Sequence, residues 1–252
     1  MDSLTCRNCK ESITNNFCPN CGEQQYKRIE MKDMVGDFLS NVVTLEGPIL
    51  QTVKDLTIRP GKMINAYLNG KRKGYYKPFQ YYILASTIYF LFFYLWGNEI
   101  MTMISNIGGD ANTYAATEEI KSLQDEMTEF QGKNMKFFTF LQIPIYSWLI
   151  WLFFKKKSGH SYTETLVASL YILSQTLFWG IIFTFCEFFS DGLSIILSGI
   201  FMFIYIPWTL KQLYKDTLLK TILKSTTIII IAFILYGILM TIISLIWMAF
   251  FR

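Results

Sequence analysis

The chain has 252 residues and a formal net charge of +4, and 52% of its residues are hydrophobic. This hydrophobic content is too high for an ordinary soluble domain, and the length fits one membrane domain with a small appendage. The positive charge is concentrated beside the apolar segments, where it indicates membrane topology rather than nucleic-acid binding.

The N-terminus contains two Cys-x-x-Cys pairs, which are Cys6 with Cys9 and Cys18 with Cys21. Each pair can direct two sulfurs at one ion, and two pairs complete a tetrahedron. Thiols in the cytoplasm stay reduced, and about 20 residues cannot form an apolar core unaided. We therefore predict a structural zinc ribbon over residues 1–26, with rubredoxin-like iron or two disulfides as the alternatives. A catalytic metal is not expected, because four thiolates leave no open position for water.

Residues 27–77 are predicted to form amphipathic helices next to the membrane. Apolar residues recur with helical spacing over 31–43, over 49–57 and after Pro60, which suits the first turn of a short helix. Such helices either lie in the plane of the membrane interface or pack under a helical bundle.

A segment of cations and aromatic residues directly precedes the first apolar stretch. Its members are Lys71, Arg72, Lys73, Tyr75, Tyr76 and Lys77. Tyrosines favour the headgroup layer, and lysines attract anionic lipid. We interpret the segment as a topology anchor in non-specific contact with lipid; a dedicated phospholipid or partner site is the alternative.

Residues 78–252 contain five stretches without a charged residue, each about 18–27 residues long. They are 78–98, 137–154, 165–186, 192–210 and 225–251. A chain this short could not hide five such helices inside a soluble protein. The predicted fold is therefore an all-α membrane protein with five transmembrane helices. Ser161 and Glu164 have the spacing of a capping box at the start of the third span.

The loops between these stretches differ in charge. Lysines and arginines dominate before the first span, after the second and between the fourth and fifth, whereas the loop 99–136 is acidic. The positive-inside rule then predicts a cytoplasmic N-terminus, an extracytoplasmic C-terminus and an outer location for the acidic loop. With no apolar signal peptide at the start, we expect an integral protein of the cell (inner) membrane.

The predicted spans contain no ionisable residue at mid-depth, which disfavours an ion-coupled carrier. Their most polar side chains, Gln142 and Gln175, are expected to form hydrogen bonds between helices. No phosphate-binding loop, nucleophile elbow or metalloprotease motif occurs in the chain. We therefore do not expect an enzyme, and a membrane-embedded enzyme is the third alternative.

Three segments resemble a family of bacterial multi-pass membrane proteins of unknown function with an N-terminal zinc ribbon. They are CRNCKESITNNFCPNCG, TVKDLTIRPGKMINAYLNGKRKGYYKPFQYY and SGHSYTETLVASLYILSQ. The resemblance implies zinc at the four N-terminal cysteines and no catalytic residues. More distantly, the five-helix pattern is similar to the Yip-type membrane proteins, which are associated with membrane trafficking and partner binding.

The sequence thus favours a non-enzymatic membrane adaptor or scaffold whose zinc ribbon binds a cytoplasmic protein. Its expected partners are membrane lipids and that protein, with no nucleic acid, and homo-oligomerisation stays open. The alternative is a transporter, channel or lipid-handling protein in which the ribbon is a structural or regulatory appendage.

Overall fold

The computed structural model of the chain describes residues 4–13, 16–22, 31, 49–107, 118–188 and 192–251. Most of the helix predicted over 31–43 and the middle of the acidic loop lie outside these residues. The described elements are β1 (Leu4–Thr5), β2 (Ser12–Ile13), α1 (Ile49–Ile58), α2 (Pro60–Leu68), α3 (Pro78–Ile107), α4 (Glu118–Lys133), α5 (Met135–Ser158), α6 (Tyr162–Thr184), a 3-10 turn (Phe185–Phe188), α7 (Leu193–Tyr214) and α8 (Leu218–Phe251).

Four of the described helices are long and apolar enough to cross a membrane. They cover Met135–Lys156, Tyr162–Thr184, Leu193–Tyr214 and Leu218–Phe250, matching the last four predicted spans. Their outward faces carry exposed apolar side chains, such as Phe233 (75% exposed) and Phe250 (79%). A lipid-facing surface accounts for this exposure, whereas a soluble monomer rarely shows so large an apolar patch.

The helix α6 contacts α5 and α7 and also α1, α2 and α3, whereas α8 packs against α5 and α7. Phe154 stacks on Tyr214 with ring centroids 4.5 Å apart, and Lys224 lies over the Phe154 ring. These contacts bring together the end of α5, the end of α7 and the start of α8. We call this the basic end of the bundle, from its lysines: Lys155, Lys156, Lys211, Lys215, Lys220 and Lys224.

The predicted start of α6 is confirmed. The Ser161 hydroxyl accepts a hydrogen bond from the Glu164 backbone N–H, and the Glu164 carboxylate accepts one from the Ser161 N–H. This reciprocal pair is the capping box that the sequence predicted.

The helix α3 covers the first predicted span and continues beyond it to Ile107. The start of α3 lies part-way along the bundle. This position follows from the hydrogen bond that the Tyr82 hydroxyl, near the start of α3, donates to the Thr139 carbonyl, near the start of α5. That part of α5 lies at the end opposite the basic end. Further along α3, Phe90 lies beneath the ammonium group of Lys136, one residue into α5.

The short helices α1 and α2 lie inside the bundle, which differs from the interfacial placement in the predicted fold. Leu56, Met63 and Ile64 are at most 1% exposed and belong to the same core as α5, α6 and α7. Together, α1 and α2 occupy the space between α6 and α7 towards the basic end, where α3 has not yet begun.

Candidate metal centre and its contacts with the membrane domain

The four N-terminal sulfurs converge. All lie within 4.8 Å of one another, with Cys6 Sγ 3.6 Å from Cys21 Sγ and Cys9 Sγ 3.5 Å from Cys18 Sγ. A tetrahedral zinc with Zn–S bonds of about 2.3 Å requires S···S edges of about 3.8 Å. The cluster therefore has the size of a four-thiolate metal site, and all four cysteines are free thiols.

Two matching turns shape this cluster. In the first, the Lys10 N–H donates to the Cys6 carbonyl, and in the second the Gly22 N–H donates to the Cys18 carbonyl. Lys10 and Gly22 have φ of 70° and 67°, in the left-handed region that glycine adopts at least cost. The strands β1 and β2 flank the first turn and pair antiparallel, with Leu4 opposite Ile13.

Desolvation and the crowding of the four sulfurs disfavour ionised thiolates in the absence of a cation. A backbone hydrogen bond at Glu11 lowers the pKa of Cys9, but desolvation and the three neighbouring thiols together raise it to about 12. Four thiolates this close repel one another strongly, and a divalent cation at their centre removes that repulsion. Soft thiolate ligands in a tetrahedral set are typical of zinc and iron.

The ribbon contacts the membrane domain through the loop between α2 and α3. The Arg7 guanidinium donates to the Asn69 carbonyl over 2.9 Å, and the Lys73 ammonium donates to the Cys21 carbonyl. A Cβ placed on Gly22 would lie 2.9 Å from Lys73 Nζ, so the second turn lies directly against the loop. No sequence pattern pointed to this long-range contact.

The predicted lipid or partner segment divides into two parts. Lys71 and Lys73 are exposed and Arg72 and Lys77 are half-buried, whereas Tyr75 and Tyr76 are buried, at 9% and 8% exposure. Contact of the basic side chains with lipid stays a prediction. The two tyrosines contact protein instead of a headgroup layer.

Tyr76 fixes the loop to the core through its backbone. Its N–H donates to Thr52 Oγ1 over 2.9 Å, and its carbonyl accepts from the Tyr171 hydroxyl over 2.6 Å. The loop before α3 is thereby attached to both α1 and α6.

Tyr75 belongs to an ionic network. Its hydroxyl donates to Asp55 Oδ2 over 2.8 Å, and Arg59 donates to both oxygens of the same carboxylate, over 3.0 and 3.1 Å. Burial alone would raise the pKa of Asp55, but the hydrogen bonds from Arg59 and Tyr75 bring it below its ordinary value. Burial and the bond to Asp55 raise the pKa of Tyr75 to about 12. The i, i+4 spacing of Asp55 and Arg59 was the signal available in the sequence.

The two intramembrane glutamines form contacts between helices. Gln175 accepts from the Tyr81 hydroxyl over 2.7 Å and donates to Thr57 Oγ1 over 2.8 Å, so it joins α6 to α3 and α1. Gln142 on α5 lies beside the Tyr236 hydroxyl on α8. The packing role of both glutamines stays a prediction.

Gly61 allows α2 to approach α7. A Cβ at this position would lie 2.4 Å from both the Gln212 Cβ and the Thr209 carbonyl oxygen. Together with Arg59, which binds Asp55, and Pro60 in the first turn of α2, it gives each residue of the Arg-Pro-Gly sequence a structural role.

Residues 46–90 match the model of a family described as a protein of unknown function (DUF3667). No curated protein and no solved structure matches the chain. The matched residues form α1, α2, the loop that follows them and the first part of α3. The similarity to this family therefore covers the Asp55–Arg59–Tyr75 network and Gly61, and it does not extend to the cysteine cluster.

Proposed function

We propose that the protein is a membrane adaptor whose ribbon, loaded with zinc, is a cytoplasmic docking module. The convergence of the four sulfurs supports this most directly, because a closed four-thiolate site holds a small surface rigid and leaves no position for catalysis. Cys6, Cys9, Cys18 and Cys21 would hold the zinc, which supplies folding energy to the ribbon when bound.

The contact between ribbon and membrane domain adds support. Arg7 and Lys73 attach the ribbon to a loop whose next residues are buried in the helical core. A partner bound to the ribbon would thus be held at a defined position beside the bilayer. We propose five membrane crossings, the first of which α3 completes from part-way along the bundle, with the basic end in the cytoplasm of a bacterial cell and the C-terminus outside. We propose no catalytic activity.

The docking role can be tested by partner capture. We expect a cytoplasmic protein to co-purify with the full chain in detergent and to be lost with the Cys18→Ser/Cys21→Ser variant. Cys186→Ser is the matched control, because Cys186 lies outside the sulfur cluster. Capture of the same proteins by all three forms, present in equal amounts in the membrane, would refute the docking role. A reporter fused after Arg252 tests the orientation, and a cytoplasmic signal would refute it.

A second candidate is a lipid-handling protein or transporter. The observation in its favour is the Asp55–Arg59 pair, which α1 brings into the bundle although no predicted span contains a charge. Ionisable groups at membrane depth are costly and commonly serve substrates or ions. If this candidate is right, the Cys18→Ser/Cys21→Ser variant should keep its transport or lipid-handling activity.

A further inference from the structure

The position of α1 along the bundle follows from its contacts with α6. Thr57 binds Gln175, which lies ten residues, or about 15 Å, beyond Thr165 at the start of the predicted third span. That is about half the thickness of the hydrocarbon core. Thr52 binds Tyr76, which binds Tyr171, one turn nearer the basic end. The helix α1 therefore rises obliquely from the basic end towards mid-depth.

The side of α1 that faces away from α6 borders an open, one-sided groove of about 590 Å³. Among the described residues, its lining is a single face of α1 and the residue that follows it: Leu50, Gln51, Lys54, Asp55, Ile58 and Arg59. Leu50 is 85% exposed and Ile58 is 59% exposed, so the groove has apolar walls beside its charged groups. This volume lies within the range of small-molecule sites.

The charges of the groove favour an anion. Lys54 is exposed, and the Arg59 side chain is 57% exposed, whereas the Asp55 carboxylate is 6% exposed and bound by Arg59 and Tyr75. Two cations and one anion leave a net charge of +1. The Arg59 guanidinium has five N–H donors, of which Asp55 engages two, and Lys54 contributes three more.

From this arrangement we propose that the groove binds the headgroup of an anionic phospholipid in the leaflet at the basic end. The phosphate interacts with Lys54 and with the Arg59 guanidinium, which Asp55 holds one helical turn nearer the basic end than the Arg59 backbone. An acyl chain lies along the deeper Ile58. A long lysine side chain can place its ammonium at headgroup level while its stem stays in the apolar layer. The site rests on the membrane placement given under Proposed function, but it does not depend on the docking role of the ribbon.

The test is lipid retention by the full chain in detergent, measured by native mass spectrometry. Dioleoyl-phosphatidylglycerol and dioleoyl-phosphatidylcholine are added in separate titrations. We expect Lys54→Gln to weaken phosphatidylglycerol binding about fivefold and to leave phosphatidylcholine binding unchanged. Ile58→Glu, which adds a negative charge at the exposed wall, should weaken phosphatidylglycerol binding further. Thermal melting checks that both variants are folded.

The matched control is Lys62→Gln. Lys62 is exposed and lies outside the groove and outside the basic segment before α3. This variant should retain phosphatidylglycerol as the wild type does, and 10-fold excess inorganic phosphate should not displace the lipid. Unchanged binding in Lys54→Gln, an equal loss in Lys62→Gln, or displacement by phosphate would each overturn the proposal.

The lipid site and the docking role can fail separately. Cys18→Ser/Cys21→Ser should keep phosphatidylglycerol while losing the captured partner, and Lys54→Gln should show the reverse. Loss of lipid in the cysteine variant, with the bundle folded, would contradict a site confined to α1.

Discussion

The ribbon and the α1–α2 pair are two segments of similar length that reach an ordered structure by different means. In the ribbon, the buried apolar cluster consists of Cys6, Ile13 and Cys18, with the other two cysteines packed against it. In α1 and α2, Leu56 and Ile64 are fully buried in a core that the long helices supply. We therefore expect the ribbon to depend on a metal for its folding energy, whereas the helix pair depends on tertiary packing with the bundle.

Metal removal should separate the two regions most strongly. Structural zinc in small domains contributes an apparent binding free energy of about 10–16 kcal/mol at pH 7, far more than the ribbon's own apolar burial. We expect Cys18→Ser/Cys21→Ser to lose the metal and become protease-sensitive over residues 4–22, while the bundle keeps its melting temperature. Metal analysis, limited proteolysis and thermal melting measure these effects. Cys186→Ser should keep the metal. An unfolded bundle in the double variant would contradict the independent folding of the two regions.

A single methyl group should perturb the α1–α2 pair and leave the ribbon intact. In Gly61→Ala the new Cβ would meet the Gln212 Cβ and the Thr209 carbonyl at 2.4 Å, so α2 must move away from α7. Overpacking of this kind costs about 1–3 kcal/mol of the free energy of unfolding. Thermal melting in detergent measures the loss. The matched control is Gly237→Ala on α8, where a Cβ meets nothing within 4 Å and the higher helix propensity of alanine should keep or raise stability, by up to about 1 kcal/mol.

The smallest loss of stability should come from Asp55→Asn, which removes the carboxylate charge that Arg59 neutralises. The asparagine amide oxygen can still accept a hydrogen bond from Arg59 or Tyr75, so the expected loss is the difference between charged and neutral hydrogen bonds, about 1–2 kcal/mol. Thermal melting at pH 7 measures it.

The pH dependence of this contribution has a definite sign. The folded pKa of Asp55 lies below the unfolded value of about 3.9, so the stabilisation is present above that value. It is lost as the pH falls through the folded pKa, and the Asn variant should lack this loss. Glu129→Gln, in an exposed pair with Lys133, is the control and should change the melting curve less. An equal effect of the two variants would contradict the role assigned to the network.

Local patterns carried much of the prediction. The spacing of Cys6, Cys9, Cys18 and Cys21 predicted one cluster, since two short turns suffice to bring four sulfurs together. The capping box at Ser161 and Glu164 was predictable because both partners lie within one helical turn. The four confirmed apolar helices followed from composition and length, which are properties of each segment alone.

The interior position of α1 and α2 could not be predicted in the same way. An amphipathic stripe has the same spacing whether it faces lipid headgroups or a protein core, so both placements were consistent with residues 49–68. Tyr75 and Tyr76 were assigned to the headgroup layer for a related reason, because a tyrosine beside lysines suits that layer. Their actual partners, Asp55, Thr52 and Tyr171, are 20 or more residues away in the chain.

The sequence by itself determined the membrane character of the chain, the four-cysteine cluster and the helix start at Ser161, because each depends on residues that are close in the chain. Only the tertiary structure decided that α3 begins part-way along the bundle, that α1 and α2 fill the remaining space, and that Arg7 and Lys73 attach the ribbon there. These features depend on side chains that meet across the fold, and their energies appear only when the long helices are already packed.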